Sequence, residues 1–468
     1  MESAGLWMLL AVAAMMLATG LASWVVLTAV AGAFALAGIA AGIFPAALLG
    51  AVQSRLVGLL ESDLLQALPL YVLMGALINR LPLADRLFRG GAHALGRTRC
   101  AMPLAGLGLG VVLAPMSGSV GASIPMLGQI VQPRLESAGL SPERAGALVC
   151  AAAVLGVLVP PSLVLILLGD AMMRAHTEAA HINPAIERII NTQDVFHGAL
   201  VPGALLVVLS AVAACLTCPR AARLAPALRR ELIEGAVALA AIVALLGSVA
   251  LGYLYAVEAA ATGAVALFLY GLATRTLRPD VLRVVLHDTL ELTGALFALL
   301  VAATFFTLVA RAYGTDRWLV ELFGRLDLGA GATLAVALVA MAACALVLDA
   351  FEMIFVVVPL VMPPVLARVT DAPWVAVLTL LVLQTSFLVP PFGYAVLMTR
   401  SRSPSLSASG LARALAPYVA AQACVLGLVW AFPQMLWRDS ETTMAAPQAP
   451  PSDEKARELL EKQLEPPT

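Results

Sequence analysis

Charge is scarce in this chain. Only 12% of its 468 residues are charged, against 61% hydrophobic, and the mean hydropathy is +0.94. A soluble globular protein carries about 25% charged residues. Soluble packing cannot hide this much apolar surface, so the composition excludes a soluble domain and indicates a polytopic membrane protein. There is no basic block, and the formal net charge is −1, so nothing suggests nucleic acid as a partner. There is no Walker A motif, which excludes ATP as an energy source within the chain. There is no H-E-x-x-H motif and no nucleophile elbow, so nothing argues for an enzyme. The six cysteines are scattered. Cys215 and Cys218 form one C-x-x-C without a second pair or nearby His ligands. Small residues for membrane packing account for them better than a metal or redox site does. The N-terminus lacks a positive n-region. Glu2 is its only charge before a long apolar stretch, which reads as a first spanning helix rather than a cleaved signal.

What the chain does have is long apolar runs. About 18 or more such residues can span a bilayer. Full crossings are expected at 5–20, 22–48, 60–79, 143–169, 198–218, 235–252, 255–274, 290–313, 374–399 and 414–437. Two further stretches, 100–134 and 328–368, are interrupted, the first by APMSGSVGAS and the second by LDAFEM. Each reads as a re-entrant hairpin of two half-helices meeting at a tip inside the membrane. The connectors 83–97 and 315–326 are amphipathic and read as surface helices. The Pro-rich, charged tail 438–468 reads as a solvated, disordered extension.

A repeat is present. VPPS at 159–162 returns as VPPF at 389–392, an offset of 230 residues, and the same offset carries the first tip and first helix onto later ones. Two halves follow, 1–225 and 230–437. Arginines in short loops set the orientation. Arg80, Arg86, Arg89, Arg97, Arg99, Arg134, Arg144, Arg220, Arg223, Arg275, Arg278, Arg283, Arg400 and Arg402 all fall on one side if both interrupted stretches are hairpins. The loop 170–197 and the connector 315–326 then lie outside, with both termini. Each half holds five crossings and one hairpin. Five is odd, so the second half is inverted. Inverted repeats with broken helices near the midplane are a mark of secondary transporters.

The candidate chemistry sits at the breaks. The first tip offers Ser117, Gly118, Ser119, Gly121 and Ser123. Hydroxyls there can coordinate Na⁺ or donate to an anion, and glycines free the backbone, although Gly and Ser also serve close helix contacts in membranes. The first broken helix offers carbonyls near Leu158, Val159 and Pro160, then Ser162. Unwound carbonyls suit a cation and half-helix N-termini suit a carboxylate; a plain proline kink is the alternative. The second tip offers Asp349 and Glu352. Acidic residues at membrane depth are costly and usually face a cavity. Asp349 reads as a cation ligand or tip organiser, and Glu352 as a proton or substrate-linked group, or a structural pair. The mirror break offers Gln384, Thr385, Ser386, Pro390, Pro391 and Gly393. Glu258 begins its helix and reads equally as a first-turn charge. His176, His181 and His197 read as residues of a solvated loop, not a metal site.

Six phrases in order carry a family resemblance: PLYVLMGALINRLPLADRLFRGGAHALGR, APMSGSVGASIPMLG, AAAVLGVLVPPSLVLILLGD, VEAAATGAVALFLYGL, LDAFEMIFVVVPLVMPP and LQTSFLVPPFGYAVLM. From about 5 to 437 the chain resembles the large membrane subunit of tripartite ATP-independent periplasmic (TRAP) transporters. The resemblance implies an elevator-type carrier in the bacterial inner membrane, with Na⁺ as the coupling ion. It implies a small four-helix membrane subunit and a periplasmic binding protein as partners. It places Ser117, Gly118, Ser119 and the segment 159–162, with Val159 and Pro160 as Na⁺ contacts, in one cation region. Asp349, Thr385, Ser386, Pro390, Pro391 and Gly393 belong to the other. Ser123, Ser162, Glu352 and Gly393 are also assigned to substrate. The FEMIF and TSFLVPPFGYA wording looks like the mannitol/chloroaromatic-compound branch, whose relatives are linked to 2-oxo acids and lactate, so a small organic acid is expected. Ile124 and Pro125 depart from the small-residue pattern usual after the first tip. No Arg or Lys lies at either tip. A stand-alone anion symporter or Na⁺/H⁺ antiporter of the same superfamily is the alternative.

Overall fold

The computed structural model describes residues 3–61, 63–96, 98–117, 119–184, 186, 190–218, 229–325, 329–389, 393–403 and 406–436. Among these residues every regular element is helical. The chain runs α1 (Ala4–Thr19), α2 (Ser23–Ala40), α3 (Ala51–Leu60), α4 (Asp63–Arg80), α5 (Leu83–Ala94) and α6 (Ala101–Leu113). It continues through α7 (Val120–Ile130), α8 (Gln132–Ser137), α9 (Pro142–Leu158), α10 (Leu163–Ile182) and α11 (Thr192–Thr217). Then follow α12 (Arg229–Ala250), α13 (Ala256–Ala273), α14 (Pro279–Ala312), α15 (Thr315–Arg325) and α16 (Ala330–Cys344). The last are α17 (Ala350–Glu352), a π-turn over Met353–Val357, α18 (Val358–Leu366), α19 (Ala372–Leu388), α20 (Tyr394–Arg402) and α21 (Ala408–Ala431).

Two helices form the centre. In α9 every residue from Ala145 to Leu158 is buried, and in α19 all but Trp374 and Thr385 are. Both sequences are apolar on all faces, and such a helix belongs inside. They touch each other. Small residues let neighbours close on α9. A Cβ on Gly156 would lie 2.9 Å from the Ala114 carbonyl carbon, so the first tip rests on the helix backbone. The outer helices keep an apolar face uncovered; Leu36 is 71% and Leu290 72% exposed. Such a surface suits lipid or another membrane helix.

The packing is paired. α2 lies on α14 and α4 on α13; α5 lies on α12 and α1 on α15; α7 lies on α20 and α10 on α18. A shift of 230 residues turns each of these pairs into its mate. The start of α9 at 142 maps onto the start of α19 at 372, and both are 17 residues long. The turn Pro115–Ser117 rests on α4, and α17 with the π-turn rests on α14.

Several expectations change. Of ten expected crossings, six single helices among the described residues have the length and composition to span, or eight with two bent pairs. α1 at 16 residues and α19 at 17 are short of a full span. The run 22–48 ends as a helix at Ala40, and Gly42 takes a left-handed φ of 68°. The crossing 60–79 is preceded by the amphipathic α3. The supposed loop 170–197 is mostly helix: α10 continues to Ile182 and α11 begins at Thr192. AMMRAHTEAAHI is built of good helix formers, and Asp170 holds Arg174 at 3.0 Å one turn on. His176 and His197 are therefore buried, not solvated. The surface helices expected at 83–97 and 315–326 appear as α5 and α15. The tail 438–468 lies outside the described residues.

Candidate functional site

Proline chemistry builds the first break. In a continuous helix, residues 160 and 161 would donate to the carbonyls of Gly156 and Val157. Pro160 and Pro161 have no N–H to give. The helix ends at Val159 in extended backbone (φ −87°, ψ 116°), and the Pro160–Pro161 bond is cis. Ser162 clasps the gap. Its hydroxyl donates to the Val157 carbonyl at 2.6 Å and accepts from the Leu165 N–H at 3.1 Å, which starts α10. The two arms bend by 42°.

The first tip meets this break. Ser119 caps α7, its Oγ accepting from the Ala122 N–H at 3.1 Å. Ser123, fully buried, donates to the Ser119 carbonyl at 3.0 Å. Pro115 and Ser119 share a cavity of about 10 Å³ with Gly156, Val157 and Ser162. That holds about one water-sized sphere. Ser119, Ser123 and Ser162 are thus gathered at one junction. The Ser117 side chain and Gly118 lie outside the described residues.

The second tip is a capping box. The chain resumes helix at Ala350, within the predicted LDAFEM break. Asp349 accepts from the Ala350 N–H at 2.7 Å, and Glu352 accepts from the Asp349 N–H at 2.8 Å. The expected irregular tip is therefore shorter, and Glu352 is helical. The reason is local: D-A-F-E lets each carboxylate satisfy an N–H that the helix start leaves open. Glu352 is buried, with the Ser23 hydroxyl of α2 within hydrogen-bonding reach.

At the mirror break, Thr385 donates to the Leu381 carbonyl at 2.7 Å and Ser386 to Val382 at 2.9 Å. Their protons are spent within α19, and their lone pairs remain. The Gly393 N–H donates to the Val389 carbonyl at 2.8 Å. A Cβ at Gly393 would lie 2.5 Å from the Phe387 carbonyl oxygen, so only glycine fits. Pro390 and Pro391 lie outside the described residues. Gln384 is fully buried, and neither amide atom has a hydrogen-bond partner among the described residues.

One residue was not singled out from the sequence. A Cβ on Gly121 would lie 2.5 Å from the Tyr394 hydroxyl, which therefore packs on the first tip. Tyr394 thus ties the start of α20 to the first tip, where α20 packs on α7. Its signal was its place directly after Gly393, in PPFGYA. Other candidates stand apart. Glu258 accepts from the Tyr255 N–H at 2.9 Å, the first-turn role. His197 Nε2 lies 2.8 Å from the Ala250 carbonyl. No cluster of His, Cys, Asp and Glu suited to a metal occurs among the described residues.

An apolar exterior and a proline break packed on the first tip define, among the described residues, a polytopic, all-helical membrane protein. Residues 8–435 match the family described as tripartite ATP-independent periplasmic transporter, DctM component. The chain belongs to that family and is a membrane transport protein. It is 25% identical over 385 residues to the sialic acid TRAP transporter large permease protein SiaM of Vibrio cholerae, covering 81% of this chain and 87% of that protein. It is 33% identical over 119 residues to the sialic acid TRAP transporter permease protein SiaT of Haemophilus influenzae, 25% of this chain and 19% of SiaT. Over 107 residues it is 30% identical to the C4-dicarboxylate permease DctM of Vibrio cholerae, 23% of this chain and 24% of that one. The solved YdaH transporter of Alcanivorax borkumensis shares the fold, with a TM-score of 0.56 at 16% identity over 82% of this chain and 88% of that one. These relatives carry sialic acid and C4-dicarboxylate names; none of the three bears the mannitol/chloroaromatic label.

Proposed function

We propose that the chain is the large permease subunit of a Na⁺-coupled, binding-protein-dependent importer of a small organic acid in the bacterial inner membrane. The observation that carries this is the family match across 8–435. The exchange of helix contacts under a shift of 230 residues supports two inverted halves. Contacts that swap in this way imply an approximate twofold axis, through the α4–α14 and α9–α19 contacts. An elevator motion would carry the tips and breaks as one body, with α9 and α19 at its centre, against the outer helices.

The residues fit Na⁺ chemically. A hard cation takes oxygen ligands. Thr385 and Ser386 have spent their protons on their own helix, so lone pairs are what they offer. Ser119 and the carbonyls around Val159 supply neutral oxygens, and Asp349 keeps acceptor capacity beyond its cap. The unpartnered Gln384 amide adds one more buried oxygen. The relatives' names, sialic acid and C4-dicarboxylate, are both carboxylates, which supports an organic acid; a 2-oxo acid or lactate is the branch-based choice. A small membrane subunit and a periplasmic binding protein complete the assembly.

The test is uptake of labelled pyruvate and succinate by proteoliposomes holding the permease and its small subunit, with an imposed Na⁺ gradient and added binding protein. Uptake of either acid that needs both the gradient and the binding protein is expected. Full-rate uptake without the binding protein would support the stand-alone carrier instead.

A further inference from the structure

A cavity of about 650 Å³ opens where α10 and the π-turn with α18 meet α3, α4 and α14. That is within the range of small-molecule pockets. Three guanidinium groups line it, Arg55, Arg174 and Arg311, against two carboxylates, Asp170 and Glu178. The pairing is uneven. Arg174 is held by Asp170 at 3.0 Å. Arg311 is spent on both Glu178 oxygens and on the Pro359 carbonyl, with Asp316 behind it at 3.4 Å. Arg55 is exposed and makes no hydrogen bond or salt bridge to any described residue, although Glu178 and Asp316 lie within electrostatic reach of it.

We propose that this cavity is a vestibule that binds the carboxylate of a small organic anion, with Arg55 as the receiving group. A guanidinium fork matches a carboxylate in two parallel hydrogen bonds. The remaining lining is mostly apolar and suits a short carbon skeleton. The cavity also leads somewhere: its wall includes Ile354, two residues beyond Glu352 of the second tip. Neither tip carries Arg or Lys, so an anion meets its cation before it reaches the breaks. By the Arg-rich loops the cavity opens toward the periplasmic side. Only this direction of passage rests on the importer reading; the binding itself does not.

The test uses the full chain with its six cysteines replaced and Thr304→Cys placed in the cavity wall. Methanethiosulfonates bearing a sulfonate or a trimethylammonium group report the local potential. The anionic reagent should react faster, by about tenfold after correction for intrinsic rates, and Arg55→Gln should remove most of that preference while Arg55→Lys keeps it. Sodium pyruvate or sodium succinate should slow labelling in the parent and not in Arg55→Gln, at ionic strength matched with sodium chloride. Calorimetric titration of the same two salts into the unmodified chain and into Arg55→Gln checks the result without cysteine replacement. Equal protection in Arg55→Gln, or protection by chloride alone, would overturn the vestibule. Failure of Na⁺-driven uptake with protection intact would count against the importer reading and leave the vestibule standing.

Discussion

Ser162 is a small residue with a large expected effect. Replacing it with alanine removes two bonds at once. The Leu165 N–H loses its cap, which costs about 1 kcal/mol in typical N-cap substitutions. The Val157 carbonyl loses the one donor that replaces Pro161 among the described residues, at 2.6 Å and with Ser162 only 3% exposed. An unsatisfied buried acceptor costs about 1–3 kcal/mol. The sum is about 2–4 kcal/mol. An internal control separates this from any buried hydroxyl. Thr379 also bonds a carbonyl of its own helix, Val375, at 2.8 Å and is fully buried. That carbonyl keeps its helical N–H partner, so Thr379→Val should cost well under about 1 kcal/mol, in line with ordinary hydrogen bonds between membrane helices. Unfolding in mixed SDS micelles, followed by circular dichroism, measures both. Ser162→Thr, which keeps the hydroxyl, should recover most of the loss. If Ser162→Ala and Thr379→Val lost equal stability, the clasp would have no special energetic standing and the reasoning would fail.

Other expectations follow from the same geometry. Gly393→Ala must push backbone against the Phe387 carbonyl, so uptake should be lost while the protein still inserts, as judged by size-exclusion chromatography; normal uptake would show that the loop opens freely. Asp349→Asn keeps an N-cap acceptor and Asp349→Ala does not, so only the alanine variant should lose about 1 kcal/mol of stability. Both should raise the Na⁺ concentration for half-maximal uptake if the charge serves the ion. Arg311→Gln leaves Glu178 without its partner across α14 and α10; because Glu178 is 38% exposed, about 1–2 kcal/mol is expected. A double-mutant cycle with Glu178→Gln reads the coupling, and a value near zero would remove this pair as a tie between the two helices.

The legible parts of this sequence were those governed by hydrophobicity and proline. The Pro-Pro at 160 dictates a break because no alternative donor exists in the backbone. The all-apolar runs that became α9 and α19 had to be buried. What the sequence leaves less legible is governed by side chains at helix ends. LDAFE carries a D-x-x-E capping box, which agrees with the tip-organising and structurally paired readings of Asp349 and Glu352 and makes the irregular tip shorter than the LDAFEM break suggests. AMMRAHTEAAHI suggests a loop only where charge is equated with solvent; Asp170 and Arg174 satisfy each other one turn apart in a helix. Tyr394 has only its place after Gly393 to mark it. Its role comes from α20 crossing α7, a long-range contact that local spacing does not encode.

The committed protons sharpen what each hydroxyl can do. A hydroxyl has one hydrogen to give and two lone pairs to offer. Ser162, Thr385 and Ser386 each give that hydrogen to a carbonyl of the helix that ends nearby. For Ser162 to donate to a substrate anion it would have to release Val157, at the cost worked out above. A cation asks for no such release. Of the two roles the sequence leaves open for Ser162, this hydrogen bonding favours the cation-side one as a proposal. On the proposed reading an incoming carboxylate would meet the coupling cation and half-helix N-termini and, on the way in, Arg55, which makes no hydrogen bond or salt bridge among the described residues.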